Sequence, residues 1–224
     1  MKTALQVTTS SVFALALIGL SLFWPAGTLD YWQAWVFFGI FVGVSLIYTV
    51  YVGLTNPAVL RRRMNVGPQH ESRPVQKIVS AGVALAFFAL LVVSALDHRF
   101  GWSHVPTPLV VIGNVLTWAG LGIAMVVITQ NNYAAANIRV EANQAVVSTG
   151  LYGLVRHPMY FGVLVMLIGV PLALGSYWGL VLVAVDAILF ATRIFDEEKA
   201  LTEELTGYRE YVDKVHSRLV PGVW

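Results

Sequence analysis

The sequence predicts an all-α fold, a polytopic transmembrane helical bundle of five to six spans, and three observations predict it. Of the 224 residues, 57% are hydrophobic and only 12% are charged, so a large share of the apolar side chains must face lipid. Near-continuous apolar runs occur at about 7–24, 32–53, 78–96, 109–129, 159–174 and 177–194, and a helix needs roughly 20 such residues to cross a hydrocarbon core of about 30 Å. With an even number of spans, 13 of the 14 Lys and Arg residues fall on one side and only Arg99 on the other. That bias places both termini, the 54–77 loop and the 130–157 loop in the cytosol.

The first run reads as a span and not as a cleaved leader, because Phe23, Trp24 and Pro25 stand where a cleavage site needs small residues. The next three runs are ordinary spans. The last two are short and separated only by Gly175 and Ser176, which predicts a tight helical hairpin that stops short of the full bilayer and leaves five full spans as the alternative count. Trp24, Tyr31, Trp32, Trp35, Trp102 and Trp178 sit at predicted span ends, where aromatic anchors favour the interface. The chain therefore divides into N-terminal helices over 1–130 and a functional part over 131–224.

Composition also excludes chemistry. The chain has no cysteine, so a disulfide framework, a thiolate metal site and a cysteine nucleophile are ruled out. Its five histidines show no ligand spacing, and no metal is expected; a net charge of +2 is too small to suggest nucleic acid. Arg61, Arg62 and Arg63 read as a topogenic cluster that binds lipid headgroups.

The chemical signal lies in the last third. In Arg156-His157-Pro158, the proline suits the first helical position and pushes His157 towards extended backbone. Arg156 and His157 then stand at the mouth of a helix, whose free N–H groups and dipole attract anions. Snorkelling of Arg156 to headgroups and capping by His157 is the plainer alternative. Further on, the final span runs into an acidic stretch where Arg193 and Glu197, four apart, are helical neighbours. Such a pair suits a ligand carrying both charge types, although a surface ion pair would look the same. Asp186, seven residues before Arg193, is expected to face the bundle interior in a hydrogen-bonded structural role. After Glu198, Leu201, Leu205, Tyr208, Val212 and Val215 form an amphipathic stripe, weakened at Gly207, that either lies on the interface or closes over a pocket.

Three ordered motifs carry a resemblance. They are Gly150-x-Tyr152-x-x-x-Arg156-His157-Pro158-x-Tyr160-x-Gly162, then Arg193 with Glu197-Glu198-x-x-Leu201, then Gly207-Tyr208-x-x-Tyr211-x-x-x-Val215-x-x-Arg218-x-x-Pro221. Over about residues 137–221 the chain resembles the isoprenylcysteine carboxyl methyltransferase family and the related phospholipid methyltransferases. The resemblance implies a cytosolic S-adenosylmethionine pocket contacted by Gln144, Ala145, Val146, Val147, Tyr152, His157, Pro158, Met159, Tyr160, Glu197 and Glu198, with Asn137 a further candidate. It places Arg193, helped by Arg156, near the methyl acceptor. Many relatives have His where Gln144 stands, so a proton-carrying role is not supported there. The implied acceptor is lipid-like, best a prenylated cysteine carboxylate; a phospholipid, thiol or amine is the alternative. An NADPH-dependent reductase of the sterol type lacks a Gly-x-Gly-x-x-Gly element here, and a transporter would call for more paired polar residues inside the spans. The expected location is a prokaryotic inner membrane.

Overall fold

The computed structural model describes residues 2–63, 68–71, 73–131, 133 and 144–224. Among the described residues there is no strand; the elements are α1 (Lys2–Ala26), α2 (Trp32–Thr55), α3 (Pro57–Arg63), α4 (Pro74–Phe100), α5 (Thr107–Gln130), α6 (Pro158–Ala173), α7 (Gly179–Glu204) and α8 (Tyr208–Lys214), with single 3-10 turns at Pro68–His70 and Gly150–Gly153. Helices are the expected answer, because lipid offers no partner to a backbone N–H or C=O and each helix satisfies its own.

Four segments, Thr8–Ala26 within α1 together with α2, α4 and α5, are long and apolar enough to cross a membrane. The predicted hairpin is present as α6, a turn at Gly175 and Ser176, and α7. With 16 residues, α6 rises about 24 Å at 1.5 Å per residue, less than the bilayer core. The 26 residues of α7 begin in the apolar layer and end in the charged stretch after Arg193, so the helix carries functional groups out of the bundle.

Packing is tightest between α5 and α6. A Cβ on Gly113 would lie 2.3 Å from the Ala173 nitrogen, one on Gly120 would lie 2.4 Å from the Gly162 oxygen, and one on Gly169 would lie 2.5 Å from the Gly113 oxygen. The two antiparallel backbones therefore touch through a glycine seam, where dispersion and close approach replace the hydrophobic drive that lipid removes. On the other side α4 packs along α7 and α1 along α4. Leu22, Phe37, Leu90, Leu91, Leu167 and Val170 are fully buried or nearly so at the centre.

At the end of the bundle remote from the Arg-His-Pro motif, buried Asp97 binds the Ser103 backbone N–H and hydroxyl and the Ser176 hydroxyl. This carboxylate ties the α4–α5 connection to the hairpin turn and fixes the register of α4, α6 and α7. Tyr31 departs from expectation. Trp24, Trp32, Trp35, Trp102 and Trp178 are exposed as interfacial anchors should be, but Tyr31 is buried, stacks on His98 at 3.8 Å and donates to the Leu174 carbonyl at 2.7 Å. Its ring serves the hairpin turn and not the interface. Asp186 departs as well: it is fully buried on α7, yet neither carboxyl oxygen has a hydrogen-bond partner among the described residues.

The amphipathic stripe is two helices. Gly207, at φ 85°, takes a left-handed turn that few other residues adopt without strain, and this ends the run begun in α7 and restarts it as α8. Leu205, Tyr208, Tyr211 and Val215 then bury against Val146 and Leu201. Of the two placements open to this tail, it folds back over the segment that precedes α6.

The glycine seam yields a first prediction. Gly120→Leu should lower thermal stability in detergent by on the order of 2 kcal/mol or more, because the clash is with backbone; Gly122→Ala, which meets nothing within 4 Å, should leave the melting temperature unchanged or raise it.

Candidate active site

The site grows from the helix mouth that Pro158 creates. His157, at φ −125° and ψ 59°, is neither helical nor fully extended as the proline was expected to make it, and it provides no side-chain cap, which answers the capping alternative. Its ring is instead buried between two carboxylates, with Nε2 3.2 Å from Glu198 Oε1 and Nδ1 3.9 Å from Glu197 Oε2. Arg156 is equally buried: its Nε donates to Glu198 Oε1 at 2.7 Å, and one terminal nitrogen donates to the carbonyls of Val215 and His216. The backbone N–H groups of Arg156 and His157 donate to the carbonyls of Ser217 and Arg218, and the Arg218 side chain returns to Glu198 Oε2 at 2.9 Å. Tyr211 adds a bond to the Tyr152 carbonyl.

Glu198 is thus the clasp between α7, the Arg-His-Pro turn and the tail. Burial alone would push its carboxyl up, but hydrogen bonds from His157, Arg156 and Arg218 outweigh that and hold it down at about 2. Both oxygens are committed to holding protein segments together.

A second network surrounds Arg193, which is buried on α7. Its Nε donates to the Tyr160 hydroxyl at 2.9 Å, one terminal nitrogen donates to Gln76 Oε1 at 2.9 Å and Ser80 Oγ at 2.7 Å, and the other donates to Glu71 Oε1 at 2.8 Å. Tyr160 in turn donates to Glu197 Oε2 at 2.7 Å. The phenol therefore bridges Arg193 and Glu197, joining the pair that helical spacing made neighbours. Gln76 continues the chain to Asp196, which pairs with Arg73 at 2.7 Å. Two groups of this assembly are not fully committed to other protein groups. The Glu197 side chain is 24% exposed, the most open carboxylate of the assembly, and the buried Tyr208 hydroxyl has no partner among the described residues. Burial, followed by the charges of Glu198 and Glu197, pushes the Tyr208 phenol up, so it stays a neutral hydrogen-bonding group.

Of the residues singled out in the sequence, Arg156, His157, Tyr160, Arg193, Glu197 and Glu198 come together in one connected assembly. Gln144, Ala145, Val146 and Val147 belong to no helix, and Val146 packs under α8. Pro158 is buried at the start of α6, and Tyr152 stands in the preceding turn. Met159 faces the other way, against Val52, Val59 and Ile128. Asn137 lies outside the described residues. Sequence reasoning missed Glu71, Gln76, Ser80 and Tyr208 as site residues. One signal was available: Glu71 is the sole acid in the basic 54–77 loop, a charge that calls for a cation elsewhere.

Residues 108–203, somewhat under half of the chain, match the family model described as Isoprenylcysteine carboxyl methyltransferase (ICMT) family. The resemblance carried by the motifs is thereby shown for the stretch from α5 through most of α7, and with the apolar helices it supports an integral, multi-pass membrane methyltransferase of this type. No curated protein sequence matches the chain.

The clasp predicts a pH dependence. A carboxyl whose folded-state value is depressed contributes stability that is complete above its ordinary value of about 4.5 and is lost as pH falls towards about 2. The melting temperature of the protein should therefore drop between pH 5 and pH 3, and Glu198→Gln should start lower at neutral pH and show a much shallower drop across that window.

Proposed function

We propose, taking the family match as the premise, that this chain is an S-adenosylmethionine-dependent methyltransferase whose acceptor is a lipid-like carboxylate, best an S-prenylated cysteine, at the cytosolic face of its membrane. The observation that carries the reading is a partly exposed Glu197 carboxylate together with an orphaned, buried Tyr208 hydroxyl close enough to feel the charges of Glu198 and Glu197. Those groups fit the cofactor: Glu197 would accept from its ammonium group or ribose hydroxyls, while the Met159 and Tyr160 N–H groups in the first turn, which lack intrahelical acceptors, would meet its carboxylate. His157 and the 144–147 segment would complete the walls.

When bound, S-adenosylmethionine supplies a methyl group on a sulfonium, open to in-line displacement by the acceptor. What the protein must then do is align the acceptor and exclude water. Arg193 provides the alignment. A carboxylate is already ionised at neutral pH and needs no base, only a cation to hold it, and the Arg193 guanidinium is fixed by Tyr160, Gln76 and Ser80. Arg156 stands back from this step, because its bonds run to Glu198 and the tail. Exclusion of water would fall to α8 and the chain beyond it, a reading supported by their buried face packing on Val146 and Leu201. The apolar helices would admit the acceptor's tail from the bilayer. The asymmetry of Lys and Arg supports the cytosolic placement, and a prokaryotic inner membrane remains the proposed setting.

Calorimetry on detergent-purified protein checks the cofactor. S-adenosylmethionine should bind in the micromolar range, Glu197→Ala and His157→Ala should each weaken it at least about tenfold, and NADPH should give no heat. Binding of NADPH alone would sink the methyltransferase reading.

A further inference from the structure

The Arg193 guanidinium is already neutralised from within. Among the described residues its N–H groups are bonded to Tyr160, Gln76, Ser80 and Glu71. Of these partners only Glu71 is a carboxylate, and it is 4% exposed, with Ser80 donating to the same Oε1 at 3.0 Å. The partner of Arg193 therefore has the same functional group as the proposed acceptor. We infer that Glu71 is the internal counter-ion of Arg193, and that the acceptor's carboxylate binds by taking its place. This deepens, and rests on, the carboxyl-methylating reading of the site.

Charge balance favours exchange over simple addition. One buried guanidinium faces Glu71 directly and Glu197 through Tyr160. A third carboxylate brought in beside them would be repelled at short range in a poorly solvated place. Substituting one carboxylate for another leaves the charge count around Arg193 unchanged. Methyl transfer then reverses the preference. The acceptor's carboxylate oxygen bonds to the methyl carbon, the carbon–sulfur bond breaks with its electron pair left on sulfur, and the acceptor becomes a neutral ester. An ester cannot compensate a buried guanidinium, so Glu71 returns to Arg193 and the product is displaced. Glu71 thereby makes the site select a charged acceptor and reject its own product. It acts through Arg193, as a positioning residue.

The test is calorimetric binding of N-acetyl-S-farnesylcysteine and, separately, its methyl ester to the full chain in detergent, without cofactor so that nothing turns over. Wild type, Glu71→Gln and Glu71→Asp are compared, with S-adenosylmethionine binding measured on each as a check on folding. Removing the competing charge should tighten binding of the acid about tenfold in Glu71→Gln and leave the ester unchanged. The Asp variant keeps the charge on a shorter arm that reaches Arg193 less well, so it should bind the acid more tightly than wild type, and this comparison stands even if the Gln variant does not fold. Acid binding that is unchanged or weakened in both variants, acid and ester affinities that shift together, or no acid binding to any of the three proteins would overturn the exchange. If S-adenosylmethionine still binds in those cases, only the exchange fails; if wild type does not bind it, the underlying reading fails as well.

Discussion

A carboxylate taken out of water must be given back its hydrogen bonds, and Glu198 is where this chain meets that demand. Three cationic or polar side chains converge on it, from the Arg-His-Pro turn and from a tail segment 20 residues beyond it in sequence. Breaking the buried Arg156–Glu198 pair by removing one partner would cost several kcal/mol, so the turn and α7 are held together firmly. The rest of the site inherits its geometry from this clasp. His157 is pinned beside Glu198, which sets the start of α6; α6 sets Tyr160; Tyr160 joins Arg193 to Glu197. The glycine seam with α5 and the Asp97 knot at the far end fix the height of α6 and α7 against the long helices, so that the clasp closes in register.

The assembly separates labours that the sequence left merged. Glu197 and Glu198 are adjacent, yet a helix turns 100° per residue, and they meet different partners. Both oxygens of Glu198 are bonded to other protein segments, while the Glu197 side chain is 24% exposed. Arg156 and Arg193 divide in the same way: one holds the tail, the other stands on the face of α7 that meets the start of α4. A motif records that these residues occur together. It does not record which of them is spent on the fold.

Much of the fold was legible because lipid imposes one rule on every span, and apolar length and charge asymmetry report it directly. The short hairpin was legible from Gly175 and Ser176. Within the site, the residues that are local in sequence, from Tyr152 to Tyr160 and from Arg193 to Glu198, were legible because helix starts and i to i+4 spacing are local rules. What escaped was long-range. Gln76 and Ser80 reach Arg193 across 117 and 113 residues, and nothing in the neighbourhood of either predicts that contact. Tyr31 was misread for a related reason: an aromatic at a span end is an anchor by default, and only the hairpin turn packed over it turns it inward. The buried Asp186 was legible as costly, but its surroundings were not.

The most direct measurement of the central claim, that residues before and at the start of α6 join the charged end of α7 in one cofactor pocket, is ultraviolet cross-linking of radiolabelled S-adenosylmethionine to the purified protein, followed by peptide mapping. The account predicts label confined to peptides within 144–160 and 190–215 and removed by unlabelled S-adenosylhomocysteine. Label on the apolar helices α1 and α2, or label that the competitor does not displace, would contradict it.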